Sequence, residues 1–428
     1  MSQRPRNGLY AQSGGMTAVI NASAAGVIET ARSFAKTGKV GKPAIGKIFA
    51  GRNGILGVLT EDLIDTSRES ASAISALKHT PGGAFGSCRY KLKGFDENRV
   101  QFERLIEVFR AHDIGYFFYN GGNDSADTCY KVSKITARLG YPVSCIHVPK
   151  TVDNDLALTD NSPGFGSVAK YVATSMREAA FDIASMAKTS TKIFVMEVMG
   201  RHAGWITAAV GLAADKGHDI PLLLLFPEVI FDEKRFLARV DALVRSHGYC
   251  CIGVSEGLRA PDGTFFSEVG IKDAFGHAQL GGAGELVAKL VRQKLGYKYH
   301  WALADYLQRS ARHLASKTDL EQSYAVGRAA VEYALRGLNA VMPALRRTSQ
   351  TPYRWTLTPA PLARIANREK KLPASFIGAG GFGITGKARE YLVPLVQGES
   401  PPPYRNGLPD YPVLKNVPVP RRLGLFTV

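Results

Sequence analysis

No stretch of this chain is long and apolar enough for a membrane helix. The most apolar run, Pro221-Leu222-Leu223-Leu224-Leu225-Phe226-Pro227, is closed by proline at both ends. It falls far short of the ~20 residues a span needs. The opening residues, Met1-Ser2-Gln3-Arg4-Pro5-Arg6-Asn7, lack the apolar core of a secretory signal. Cysteine is scarce, five residues in 428, with no C-x-x-C pair and no zinc-finger spacing. The odd count and spacing predict a reducing, cytoplasmic setting. Cys145 and Cys251 fall in apolar runs, where a thiol behaves as a small hydrophobe. Acidic residues are outnumbered, 37 against 54 basic, for a net charge of +17. No basic run is interleaved with aromatics, and the tightest clusters are the pairs Arg346-Arg347 and Arg421-Arg422. The charge therefore predicts a solvated basic surface that also attracts phosphates, with no nucleic-acid or membrane partner.

Familiar catalytic signatures are missing too. The Walker spacing G-x-x-x-x-G-K-[ST], the protein-kinase set and H-E-x-x-H do not occur. Gly281-Gly282-Ala283-Gly284 has no convincing strand before it, so it reads as a helix entry.

What is present is a recurring pattern. Short apolar runs end in Gly-rich or charged loops, and a helical spacing follows. Leu9-Tyr10-Ala11 leads to Gln12-Ser13-Gly14-Gly15, then to Ile20, Ala24, Val27, Ile28 and Ala31 at helical spacing. Such a turn leaves N–H groups facing an anion. Arg89 closes another Gly-rich loop, Pro81-Gly82-Gly83-Ala84-Phe85-Gly86-Ser87-Cys88-Arg89, and is a candidate phosphate ligand. The aromatic run at 114–119 ends in Asn120-Gly121-Gly122-Asn123-Asp124-Ser125, with a helix expected from Ala126. Asp124 opposes anion binding there unless a metal or lysine sits opposite.

The run at 143–148 leads into Pro149-Lys150-Thr151-Val152-Asp153-Asn154-Asp155. Two carboxylates, an amide, a hydroxyl and an ammonium share six residues, at the end of a strand, where open α/β sheets place their sites. Further strands are expected at 193–198, 222–226 and 249–254. Past residue 280 the pattern turns helical, and from Val396 it becomes a Pro-rich surface tail. Strands alternating with helices predict an α/β protein of two doubly wound, Rossmann-like domains facing across a cleft. Asp124, Lys150, Asp153 and Asp155 on adjacent loops can supply the base, cation and metal ligands of a phosphoryl transfer.

These motifs, with Met199-Gly200-Arg201-His202-Ala203-Gly204, Ser255-Glu256-Gly257 and Tyr306-Leu307-Gln308-Arg309, resemble the phosphofructokinases, more closely the pyrophosphate-dependent 6-phosphofructokinases. The resemblance runs from residue 8 to about 340. It implies reversible, Mg2+-dependent transfer from pyrophosphate to fructose 6-phosphate, as in glycolysis and gluconeogenesis. It implies Asp153 as the base, Thr151 and Val152 against substrate, and Asp155 on metal and developing charge. Met199, Gly200 and Arg201 match the sugar-phosphate side, and Glu256 a carboxylate on sugar hydroxyls. Tyr306 and Arg309, flanking Leu307 and Gln308, match the grip on the 6-phosphate. Gly14, Gly15 and Gly122 fall on the donor side.

ATP-using relatives typically have glycine at the positions of Asp124 and Lys150. Here Asp124 puts bulk and charge where an α-phosphate would lie, and Lys150 adds a cation for pyrophosphate. Asn123 replaces a metal-binding aspartate of many relatives and is kept as a metal residue. Lys192 replaces an arginine that reaches a neighbouring subunit's substrate. The resemblance further implies a homodimer or homotetramer, and an enzyme without allosteric control. The expected division is a donor domain over 1–162 plus about 308–365, a fructose 6-phosphate domain over 163–307, and a Pro-rich extension over 366–428. Two alternatives stand beside this reading: an ATP-dependent or mixed kinase accepting sedoheptulose 7-phosphate, and a non-catalytic subunit. The second predicts loss of Asp153, which is present.

Overall fold

The computed structural model describes residues 5–37, 44–272 and 278–428. Its main strands, in chain order, are β1 (Asn7–Gln12), β2 (Ile48–Gly51), β3 (Leu63–Asp65), β4 (Ile114–Gly121), β5 (Ser144–Pro149), β6 (Ile193–Val198), β7 (Leu222–Leu225), β8 (Cys250–Ser255), β9 (Glu268–Lys272), β10 (Ala278–Leu280), β11 (Tyr299–Leu303), β12 (Val341–Gln350) and β13 (Tyr353–Pro361). A seven-stranded sheet runs β13-β12-β5-β4-β1-β2-β3, and a four-stranded sheet runs β11-β6-β8-β7. The smaller sheet is wholly parallel. The larger is parallel through β2, β1, β4, β5 and β12, with antiparallel edges at β3 and β13.

Parallel strands carry helices on both faces, so their sequences read as continuous apolar runs. In β8 every residue is buried, and in β4 all but Tyr116. The larger sheet is sandwiched between one core containing Phe109, Phe117 and Ile135 and another containing Ile28, Phe118 and Val326. In the second of these, Ile20–Thr37 lies against Lys317–Leu335 at backbone contact. A Cβ on Gly26 would stand 2.3 Å from Tyr324 O, and one on Gly327 2.2 Å from Ser23 O. Only glycine permits that approach.

Three departures from expectation stand out. Strands β11, β12 and β13 lie past residue 280, where helix was expected. β11 is an edge strand with His300, Trp301 and Leu303 exposed, and β12 turns outward after Leu345, so neither forms a sealed apolar run. The helix expected from Ala126 begins at Asn123 and runs to Arg138, which puts Asp124 in its first turn. The Pro-rich tail does more than lie on the surface. Asp65 N–H donates to Val417 O at 2.9 Å and Val419 N–H to Leu63 O at 2.8 Å, covering the open edge of β3. Residues 374–396 instead pack on the smaller sheet's core through Phe376, Ile384, Tyr391, Leu392 and Leu395. No helix of the described residues is long and apolar enough to cross a membrane.

Candidate active site

The loops after β1, β4 and β5 meet those after β6 and β8. Residues 13–15 follow β1 and are held from below. Ser13 N–H donates to Asn120 O at 2.8 Å, Gly14 N–H to Cys88 O at 3.0 Å, and Ser87 Oγ to Gly14 O at 2.8 Å. Gly14 takes a φ of 76°, which favours glycine. The buried Lys150 ammonium donates to Ser13 O at 2.8 Å and Gly15 O at 2.6 Å. Arg309 closes on the same loop, so near that a Cβ on Gly15 would stand 2.6 Å from its Nη1 and 3.8 Å from Arg89 Nη2. Three cations thus converge on one Gly-rich turn. Burial, with Arg309 and Arg89 nearby, pushes Lys150 down to about 7, against the pull of Asp153 and Asp155.

Asp124 has the opposing lysine its loop requires. Lys91 Nζ lies 2.6 Å from Asp124 Oδ1. The pair cancels the carboxylate's charge and leaves its bulk. Gly122 precedes the helix as its N-cap and lies over the Lys150 backbone.

The turn after β5 carries the carboxylates. Thr151 Oγ1 accepts from Asp153 N–H at 3.1 Å, and the Thr151 side chain also bonds Asp155. Burial first, then Asp155 and Glu256, push Asp153 up, against Lys150 and Arg201. Burial likewise raises Asp155, whose Oδ1 finds no protein hydrogen-bond partner among the described residues. Val152 is buried beneath this turn. An unpartnered buried carboxylate oxygen suits a hard divalent cation. No cluster of three or more His, Cys, Asp or Glu able to hold a metal occurs among the described residues.

The smaller sheet supplies the other wall. Gly200, at φ 133°, donates its N–H to Glu256 Oε1 at 3.2 Å, and Ser255 Oγ donates to Gly200 O at 2.8 Å. A Cβ on Gly257 would lie 2.0 Å from Arg201 O, so the 255–257 turn packs directly on Arg201. Arg201 Nε and Gln308 Nε2 are buried without protein partners among the described residues. Met199 N–H donates to Gln308 Oε1 at 3.3 Å. A cavity of about 240 Å³ is lined by Met199, Glu256, Gln308, Glu197, Asp305 and Gly282, among others. Burial raises Glu256 to about 7, with Glu197 and Asp305 adding to it and Gly200 and Arg201 opposing. Tyr306 and Leu307 are exposed, and the Arg309 guanidinium sits 3.7 Å over the Tyr306 ring.

One expected site residue, Asn123, is used differently, and Lys192, expected at a neighbouring subunit's substrate, lies away from this chain's own cleft. Asn123, expected on a metal, commits its amide to the chain at 367 and 368: Oδ1 accepts from Asn367 N–H at 2.7 Å and Nδ2 donates to Arg368 O at 2.5 Å. Lys192 does not reach this cleft. It precedes β6 at the opposite end of the strand, and its Nζ donates to Ala187 O at the end of helix Phe165–Met186. That is a favourable place for a cation. Three residues at the site escaped the sequence reading: Lys91, Glu369 and Lys370. Glu369 pairs with His202 Nδ1 at 3.0 Å. Lys370 Nζ donates to Asn154 Oδ1 and to the carbonyls of Thr159 and Asp160. Burial lowers Lys370 to about 7. No motif marks these positions; only the folded chain brings them in.

Two largely parallel α/β sheets, with a cationic glycine turn facing a carboxylate pair, define a phosphoryl-transfer enzyme. Residues 9–334 match the phosphofructokinase family, and the chain belongs to it. It is 66% identical over 419 residues to a pyrophosphate–fructose 6-phosphate 1-phosphotransferase of Methylococcus capsulatus, covering 98% of both chains. It is 62% identical to the enzyme of that name from Halomonas elongata, covering 98% of this chain and 99% of that one. A solved pyrophosphate-dependent phosphofructokinase from Nitrosospira multiformis superimposes with a TM-score of 0.91 at 59% identity, covering 99% of this chain and all of that one.

Proposed function

We propose that this chain catalyses reversible transfer of a phosphoryl group from pyrophosphate to the 1-hydroxyl of fructose 6-phosphate, with Mg2+ as cofactor. The observation that carries the reading is the convergence of Lys150, Arg309 and Arg89 on the 13–15 turn, opposite Asp153 and Asp155. That arrangement suits a compact, multiply charged phosphate donor. Asp124, paired with Lys91, adds bulk beside the turn.

Asp153 takes the acceptor proton as general base, and its raised affinity for protons suits that role. Asp155, with its unpartnered Oδ1, would hold Mg2+, whereas the Asn123 amide is already bonded to residues 367 and 368. Bound there, the ion would neutralise charge developing on substrate phosphate oxygens. Thr151 orients both carboxylates. Arg201, Glu256 and Gln308 turn polar atoms toward the sugar, and Arg309 spans both substrates. The larger sheet's loops form the donor side and the smaller sheet's loops the sugar side. A homodimer or homotetramer in the cytoplasm accompanies this reading.

Purified protein with fructose 6-phosphate, pyrophosphate and Mg2+ is expected to form fructose 1,6-bisphosphate. Faster turnover with ATP would overturn the donor assignment. Equal kcat/KM for sedoheptulose 7-phosphate would widen the acceptor class.

A further inference from the structure

Residues 367–372 lie beyond the matched region 9–334, yet they run between the walls of the site. Asn367 and Arg368 bond Asn123 at the start of helix Asn123–Arg138. Glu369 bridges Leu156 in antiparallel fashion and pairs with His202 beside Arg201. Leu372 N–H donates to Glu228 Oε1 at 3.3 Å, on the smaller-sheet side. At the centre stands Lys370. Its N–H donates to Asp155 O at 2.7 Å. Its Nζ donates to Asn154 Oδ1 at 3.2 Å, Thr159 O at 3.1 Å and Asp160 O at 2.8 Å.

The turn it grips needs holding. Asn154 and Leu158 take φ values of 54° and 62°, in the left-handed region that non-glycine residues enter only at a cost. Asn154 Oδ1 also accepts from Ser162 N–H at 2.9 Å, and Asn154 Nδ2 donates to Tyr391 Oη at 3.0 Å. Each bond fixes the short link on which Asp153 and Asp155 sit. The Thr159 and Asp160 carbonyls require donors; the Lys370 ammonium serves both, and Tyr391 Oη also donates to Asp160 O at 2.5 Å.

We infer that Lys370 is a positioning residue for phosphoryl transfer, its ammonium and N–H holding residues 154–160 so that Asp153 and Asp155 stand fixed between the two walls. The inference rests on the proposed phosphotransferase reading for its kinetic part. A misplacement of about 1 Å at reacting groups costs ~10²-fold in rate.

The test uses full-length Lys370→Met, Lys370→Arg and, as a control, Lys371→Met. Lys370→Met is expected to lower kcat by about 10²-fold, with the KM values for fructose 6-phosphate and pyrophosphate nearly unchanged. Amide hydrogen exchange is expected to quicken at 153–160 and stay at its wild-type rate in β1, β4 and β8. Lys370→Arg should recover part of both effects, and Lys371→Met should match the wild type. Wild-type kcat in Lys370→Met, or lost kcat with unchanged exchange at 153–160, overturns the inference. So does faster exchange throughout the fold, which marks a merely structural role. An inactive wild type overturns the functional reading instead, and the exchange comparison then decides the holding role alone.

Discussion

The two walls of the cleft differ in charge and in how far their polar groups are already committed. On the larger sheet's side, Lys150 is tied to two carbonyls, Asp124 to Lys91, and Asn123 to residues 367 and 368. These groups are locked, Asp155 Oδ1 alone of those described above staying unpartnered, and cations dominate around Gly15. On the smaller sheet's side, Glu256, Glu197 and Asp305 line an open cavity. Arg201 Nε and Gln308 Nε2 have no protein partners there among the described residues. The contrast separates two recognition tasks. A rigid cationic turn suits phosphate oxygens, whose charge is fixed. Carboxylates and an amide with spare bonding capacity suit sugar hydroxyls, which both donate and accept.

The largest expected break falls between the walls. Asp153→Ala should reduce kcat on the order of 10²–10⁴-fold while substrate binding is largely kept, as initial rates and equilibrium binding would reveal. Next, Glu256→Gln should raise the fructose 6-phosphate KM roughly ten- to a hundredfold, with the pyrophosphate KM unmoved. A rise in both constants would blur the division. Smaller is the effect of Lys91→Met. An exposed ion pair contributes about 0.2–1 kcal/mol, so the pyrophosphate KM should rise by up to about fivefold. Adding Asp124→Asn should restore it, because the uncovered carboxylate is what repels the donor. Failure of that rescue would mean the pair has no bearing on donor binding.

A separate effect is on stability. Burial raises Glu256 from 4.5 to about 7. The folded state therefore binds this proton more tightly than the unfolded one. Its contribution is fully present below the unfolded pKa and is lost as pH rises through about 7. Glu256→Gln should consequently raise Tm more at pH 8 than at pH 5, measurable by thermal unfolding at both values. An equal change at the two pH values would contradict the buried-carboxyl account.

Much of this was legible because parallel strands leave a continuous apolar signature. The runs at 114–119, 193–198 and 249–254 all proved to be strands. The site loops follow them directly, so Gly14, Lys150, Asp153, Arg201 and Glu256 could be read in place. Edge strands escaped, because β11 is mostly exposed, the outer half of β12 exposes alternate residues and β12 carries Pro343. Lys91 and Lys370 escaped for another reason. Each lies far in sequence from its partner and belongs to no motif, and a lone lysine looks like any surface charge. Asp124 gave one indirect clue: a carboxylate in an anion-binding turn demanded a cation, and Lys91 is that cation.

The most direct test of the central claim is the ratio of kcat/KM for pyrophosphate to that for ATP, at one Mg2+ concentration, in the wild type and in Asp124→Gly/Lys150→Gly. The account predicts a ratio well above one in the wild type and a marked fall in the variant, because the bulk at 124 and the cation tying residues 13–15 are both removed. An unchanged ratio would contradict it.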